Sequence, residues 1–368
     1  MSSIETTGAF GTSSAADVST RQASGEGRPG RSAATPTYAA LDLGTNNCRL
    51  LIARPSREGF RIVDAFSRIV RLGEGLGQTG NLCDAAIDRT LAALAVCRNK
   101  IDAKGVTRAR LIATEACRQA NNGPAFIDRV ADEIGIDLEI VDRETEAHLA
   151  AAGCASLADP RASGIVLFDI GGGSSEIVWL GPEGNPRYDD GSMRERVRVW
   201  TSMQLGVVTL AERFGGRDVS PQDFRDMVDH VAEQLAEFAG RAAAEPRCDR
   251  FHLLGTSGTV TTLAGVHLGL PRYERRRVDG LWMSDEEVTG AMNRLRGMSY
   301  TDRAANGCIG PERADLVLAG CAILEAIREA FPADRIRIAD RGLREGILMQ
   351  LMRADGVWGG GYQSGHFR

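Results

Sequence analysis

The sequence predicts two α/β domains built alike, each around a mixed sheet, with a ligand cleft between them. The first observation is a repeat. Asp42-Leu43-Gly44-Thr45-Asn46-Asn47-Cys48-Arg49-Leu50-Leu51-Ile52 and Asp169-Ile170-Gly171-Gly172-Gly173-Ser174-Ser175-Glu176-Ile177-Val178-Trp179 are variations on one pattern. Each follows an apolar run, Tyr38-Ala39-Ala40-Leu41 or Ile165-Val166-Leu167-Phe168, and each leads into another. That reads as strand, tight turn, strand, with Gly and Asn supplying the positive φ that hairpin turns need. The second observation is that a third strand and then alternating helical and extended patterns follow each hairpin. The third is length, since 368 residues are long for one core and comfortable for two.

The first unit opens with strands expected over 37–43, 48–54 and 60–72. Ile87, Leu91, Leu94 and Ala95 are spaced for a helix over 84–101, with Asp84 as a plausible cap. A strand over 110–114, a helical stretch through Phe126 and Ile134, a strand over 138–141 and a helix from about 144 to 157 complete it. Asp159-Pro160-Arg161-Ala162-Ser163-Gly164 breaks the pattern and marks the boundary, giving domains over 37–160 and 161–352. The second unit restarts with the hairpin at 164–180 and a strand near 197–204. Helices follow over 207–214 and 221–243, then a strand over 251–254 running into the glycine cluster Gly255–Thr259 and another helix. A helix over 313–330, a strand over 335–339 and a helix from 343 close it. Residues 1–36, poor in large apolar side chains, read as a disordered extension, and 353–368 as a flexible tail.

Composition narrows the function. A formal net charge of -5 argues against a general nucleic-acid binder. No apolar run approaches the roughly 20 residues that span a bilayer, and the N-terminus lacks a signal-peptide pattern. The 8 cysteines are scattered singly, which fits free thiols in a reducing cytoplasm better than zinc. A cytoplasmic protein is expected.

The chemistry lies in the turns. Small residues let backbone N–H groups face an anion, so two such turns meeting would grip a phosphate chain, with Asp42 and Asp169 placed to hold a cation. Gly255–Thr259 follows a strand and opens a helix, where exposed N–H groups favour an anion; simple capping by Ser and Thr is the alternative. Gly342, Arg344 and Glu345 stand at another strand-to-helix junction, with a structural role equally open. Glu146, by position alone, is a dipole-compensating group on the first turns of a helix. Its other reading is a base that orients and deprotonates water. Arg118, in Thr114-Glu115-Ala116-Cys117-Arg118, could fork onto phosphate oxygens or stand on the surface. The basic run Arg272–Arg277 is either a solvated face or the lip of a polyanion site.

Together the hairpin pair, the Arg71–Leu76 loop, Thr114–Arg118, Glu144–Ala147, Gly255–Ala264 and Gly342–Gly346 resemble, in order, the exopolyphosphatase/guanosine pentaphosphate phosphohydrolase (Ppx/GppA) family. The resemblance runs from about 37 to 352. It implies two similar actin-like (ribonuclease H-like) domains of the sugar kinase, actin and Hsp70 ATPase superfold. It also implies that Asp42, Gly44, Thr45 and Asn46 form the first phosphate loop and Gly171, Gly172, Gly173 and Ser174 belong to the second, with Asp169 at its head. Arg118 becomes a phosphate contact, Glu146 the carboxylate that activates water, and Asp169 and Glu176 the holders of a divalent cation, Mg²⁺. Cys48 stands where the family pattern has Ser, and Thr145 interrupts a Glu-Glu pair. The chain resembles the short two-domain members, which lack a C-terminal helical extension.

The expected activity is hydrolysis of terminal phosphate from inorganic polyphosphate. The alternative is the 5′-phosphate of guanosine pentaphosphate (pppGpp). A small-molecule kinase of the same superfold and a non-catalytic phosphate sensor are alternatives of other classes. No specific nucleic acid and no membrane is expected as a partner; a homodimer would lengthen the cleft.

Overall fold

A computed structural model describes residues 35–57, 59–182, 196–246 and 250–358. Nearly all of the expected extension over 1–36, and residues 359–368 of the expected tail, lie outside these. The first half comprises β1 (Tyr38–Leu43), β2 (Asn47–Ser56), β3 (Gly59–Ile69), α1 (Leu76–Thr79), α2 (Asp84–Ala103), β4 (Arg108–Ala113), α3 (Glu115–Gln119), α4 (Gly123–Ile134), β5 (Glu139–Ile140) and α5 (Arg143–Cys154). The second comprises β6 (Gly164–Ile170), β7 (Ser175–Leu180), β8 (Val197–Met203), α6 (Val207–Phe214), α7 (Pro221–Ala243), β9 (Phe251–Thr256) and α8 (Gly258–His267). It continues with α9 (Arg275–Val278), β10 (Trp282–Ser284), α10 (Asp285–Gly297), α11 (Tyr300–Ala305), α12 (Val317–Ala330), β11 (Arg335–Ala339) and α13 (Leu343–Ala354).

The duplication seen in the hairpins extends through both sheets. The first is ordered β3-β2-β1-β4-β5 and the second β8-β7-β6-β9-β11-β10. In each, three antiparallel strands meet a parallel pair at the strand that carries Asp42 or Asp169 one residue before its end. Strand β10 is an added antiparallel edge. Both central strands are apolar on both faces because helices cover both, so they read as continuous apolar runs rather than alternating ones.

Two helices are exchanged between the halves. Helix α5 packs on β6, β7 and β8, whereas α13 packs on β1, β2 and β4, and the two helices pack on each other. The layers therefore run first sheet, α13, α5, second sheet, all within one compact unit from Thr35 onward. The helices cross at glycines: a side chain on Gly153 would overlap the Gly342 carbonyl, and one on Gly346 the Leu149 carbonyl.

The structure corrects the expected third strand, which ends at Ile69 rather than near 72. Beyond it, Val70 and Arg71 both donate to the Asn46 carbonyl and Gly73 donates to that of Thr45, so the segment wraps the first turn instead of extending the sheet. The expected tail begins later than 353. Tyr38 Oη donates to Asp355 (2.8 Å) and Trp358 Nε1 to the Ser56 carbonyl (3.2 Å).

Replacing Gly346 by Ala should cost about 1–3 kcal/mol in urea unfolding, as overpacking of a tight crossing does. Gly240→Ala, on α7 with open space around its Cα, should be neutral or stabilising. Equal effects of the two changes would contradict the described crossing.

Candidate active site

Each hairpin turn closes in the same way. Gly44 N donates to the Asn47 carbonyl and Gly171 N to the Ser174 carbonyl, both at 2.9 Å. The turn carbonyls face outward, those of Thr45 and Asn46 to the 70–73 segment and those of Gly171 and Gly172 to the first N–H groups of α6 (3.0 and 2.8 Å). In a trans peptide the N–H points opposite to its carbonyl. The N–H groups of Asn46, Gly172 and Gly173 are thus turned away from these supports, and none has an acceptor among the described residues. A Cβ on Gly172 would lie 3.1 Å from Asn46 N, and one on Gly173 2.5 Å from Thr45 Oγ1, so the two turns meet face to face.

Between them is a cavity of about 120 Å³. Asp42, Gly44, Thr45, Asn46, Glu146, Asp169, Gly171, Gly172, Gly173, Ser174 and Glu176 all line it. Its far side is the N-terminus of α8, with Ser257, Gly258 and Thr259. Ser257 holds a φ of 90°, and its Oγ donates to the Ile170 carbonyl at 2.7 Å. A non-glycine residue in that region stores of the order of 1–3 kcal/mol, a strain that is common where backbone is shaped for a ligand.

Buried groups of both charges meet at the cavity. Asp42, near the end of β1, is the register partner of Arg49, and Asp169 and Glu176 are register partners across the second hairpin. Burial, then Asp42, pushes the Asp169 carboxyl up to about 6. Burial and the Asp169 charge push Glu176 up to about 7, against hydrogen bonds from Ser202 and Ser174. Asp42 is raised chiefly by burial. Glu146 is raised well above its ordinary value by burial and by Glu176, while Arg118 opposes the shift.

Three guanidiniums stand at the same site, and Arg49 is the register partner of Asp42. Arg49 and Arg313 line the cavity and Arg344 lies close behind, within the field of Asp42, Asp169 and Arg49. None of the three has an ion-pair or side-chain hydrogen-bond partner among the described residues. Burial, then Arg49, depresses Arg313; burial likewise depresses Arg344, with Glu345 opposing and Arg49 adding to the effect. Guanidiniums gathered this closely remain charged and form a site for an anion.

One expected residue is placed differently. Arg118 is not on the cavity wall: its Nη2 donates to Glu146 Oε2 and to Glu115 Oε2 (both 2.7 Å), and its Nη1 to the Val141 carbonyl (2.6 Å). It is Glu146's partner here rather than a phosphate fork, because Glu115 one helical turn earlier captures it. Cys48 turns into the core, with its Sγ 3.9 Å from Cys97 Sγ, so the thiol takes no donor from the cavity. The other described cysteines are also unpaired, and Cys248 lies outside the described residues. In the basic run, Arg275 is pinned to Glu345 (3.0 Å) and to the Asp340 carbonyl, while Arg272, Arg276 and Arg277 are exposed.

The acidic group fits a hard divalent cation. Its donors are carboxylate oxygens whose repulsion such an ion relieves. Among the described residues no group of three or more His, Cys, Asp or Glu is arranged to hold a metal ion by itself.

A model of the Ppx/GppA phosphatase family matches residues 51–355. The chain is 29% identical over 332 residues to exopolyphosphatase 2 of Mycobacterium tuberculosis, covering 85% of this chain and 98% of that one. It is 26% identical over 340 residues to the guanosine-5'-triphosphate,3'-diphosphate pyrophosphatase of Photobacterium profundum, covering 88% of this chain and 60% of the other. The crystal structure of the Aquifex aeolicus Ppx/GppA family member matches with a TM-score of 0.70 at 26% identity, over 87% of this chain and 98% of that one. Among the described residues no helix is long and apolar enough to cross a membrane.

Raised carboxyls set a pH dependence of stability. With Asp169 near 6 and Glu176 near 7 when folded, against ordinary values near 4, the native state binds more protons than the unfolded chain from about pH 4 to 7. Stability therefore falls as pH rises through that window, and a bound cation restores it. The gain in melting temperature from millimolar Mg²⁺ should be larger at about pH 8 than at about pH 5.5, where protons compete. Equal gains at both would contradict the assignment of these carboxylates.

Proposed function

The chain belongs to the Ppx/GppA phosphatase family, and on that premise we propose that it is an exopolyphosphatase, releasing terminal phosphate from inorganic polyphosphate. One observation carries the reading: a single cavity joins two facing glycine turns, four buried carboxyls and the guanidiniums of Arg49 and Arg313, which have no ion-pair partner among the described residues. A chain of phosphoanhydrides carries dense negative charge and no base or sugar, and such a ligand needs N–H groups and arginines more than apolar contact.

In this reading the N–H groups of Asn46, Gly172 and Gly173 hold the terminal phosphate, and Thr45 and Ser174 add hydroxyls. Arg49 and Arg313 offset charge on its oxygens and on the next phosphate. Glu146 accepts the proton of the attacking water. Its raised pKa supports that role, because a carboxylate with proton affinity nearer neutrality is the better base. Asp169 and Glu176 are the residues that would hold Mg²⁺. When bound, that ion would neutralise phosphate charge and polarise the bond to be broken. Phosphoryl transfer needs little covalent help, so positioning and electrostatics carry most of the rate.

The Photobacterium relative's name keeps pppGpp as the second reading, since the terminal anhydride is common to both substrates. Phosphate release from polyphosphate of increasing length and from pppGpp, by one preparation, separates the two. Faster release from pppGpp would favour the nucleotide, and background rates on both would reject the hydrolase. A cytoplasmic location belongs to the same proposal.

Glu146→Ala should lower kcat by about 10²–10⁴-fold while polyphosphate still binds. Unchanged turnover would refute the base. Arg313→Ala and Arg49→Ala should each lower kcat/KM by about 10–100-fold, as loss of a charged hydrogen bond does. Wild-type values in both would remove the arginines from the anion site.

A further inference from the structure

Behind Glu146 lies a buried charge cluster that the reaction above does not use. Glu115 opens α3 and is only 1% exposed. Its Oε2 accepts from Arg118 Nε (2.9 Å) and Nη2 (2.7 Å) and from Arg143 Nε (3.1 Å). Its Oε1 accepts from Arg143 Nη2 (2.7 Å) and Gln119 Nε2 (2.6 Å). Five hydrogen bonds saturate this carboxylate, so its work is to hold other groups rather than to meet a ligand.

What it holds is Arg118. The guanidinium plane is fixed on one edge by Glu115 and at Nη1 by the Val141 carbonyl, leaving one Nη2 contact for Glu146. Arg143 sits on the first turn of α5, the helix that also carries Glu146, so the same carboxylate ties α3 to α5. Two acids and two guanidiniums balance. Burial acts to raise the Glu115 carboxyl, yet hydrogen bonds from Arg143 and Arg118 bring it below its ordinary value, so it stays charged. Glu146 faces Arg118 from α3, Glu176 from β7 and Asp42 from β1; Glu115 faces Arg118 and Gln119 of its own helix and Arg143 of α5. Loosened from Glu115, Arg118 would pair wholly with Glu146 and draw its oxygens away from water.

We infer that Glu115, clamped by Arg143, is a positioning residue that sets Arg118 and through it aims the Glu146 carboxylate into the cavity. The inference rests on the reading of Glu146 as base. Glu115→Gln keeps the shape and removes the charge. In the full-length protein with Mg²⁺ and polyphosphate, it should lower kcat by up to about 100-fold, with KM within about twofold and melting near wild type.

The decisive measurement is a cycle with Glu146→Gln. A residue acting only through Glu146 has nothing left to position there, so Glu115→Gln should add no further loss to the residual rate. A residue that only supports the fold would lower both rates by one factor. That result, or a folded Glu115→Gln variant with kcat within about twofold of wild type, overturns the inference. Should Glu115→Gln fail to fold, Arg143→Gln, on a partly exposed side chain, is expected to lower kcat about threefold or more, and not at all on Glu146→Gln. Wild-type kcat in Arg143→Gln overturns it equally. Full turnover in Glu146→Gln would instead reject the base, a result separable from the others.

Discussion

The close seating of one hairpin turn on the other governs this molecule. Gly172 and Gly173 leave room for Thr45 and Asn46 that any side chain would fill. That approach brings the ends of β1 and β6 together, and with them Asp42, Asp169 and the turn N–H groups. Each turn is braced from behind through its carbonyls, by the 70–73 segment or by α6, so the donors that remain face inward. Arg71 adds a brace across the halves, with Nη2 reaching the Glu312 carbonyl (3.0 Å) and the Asp315 carboxylate (3.1 Å).

Given that geometry, the electrostatics follow. Four buried acids line the cavity together with Arg49 and Arg313, and Arg344 lies close by. Neither set of charges is favourable by itself: burial disfavours each charge, and like neighbours add to the cost. An anion that accepts the arginines, together with a cation that accepts the carboxylates, resolves both. The exchanged helices keep the two halves of this charge pattern in register. Helix α5 delivers Glu146 from the first half onto the second sheet, and α13 brings Arg344 back toward the first.

The fold was legible to a large degree. Apolar runs ending in Asp-x-Gly mark the central strands because those strands are buried on both faces. Helix α10 went unread although Ser284 and Glu287 form a capping box ahead of Val288 and Met292, a local signal that was present. The end of β3 was misread because Val70 and Leu72 are apolar for a different reason, namely packing beneath the first turn. In the site, the loop residues and Glu146 were chosen from motifs and stand on one cavity. Arg313 carries no such mark, since it reaches the cavity from the turn ahead of α12. For Arg118 the position after a strand leaves phosphate contact and surface exposure equally open, and only the family resemblance implies the phosphate. The arginine's captor Glu115 was in plain sight three residues earlier, but i,i+3 spacing does not say whether a pair is buried.

By itself the sequence determined the repeated strand–turn–strand units, the Gly, Asn and Asp types at their bends, and the alternation that makes two sheets. These are properties of short segments, set by backbone freedom and by the period of apolar residues. Only the tertiary structure decided which side chains are paired and which are left open: Arg118 taken by Glu115, Cys48 turned into the core, and Arg49, Arg313 and Arg344 without side-chain partners among the described residues. Burial and charge balance depend on groups far apart in the chain, and distance through space is what no local pattern records.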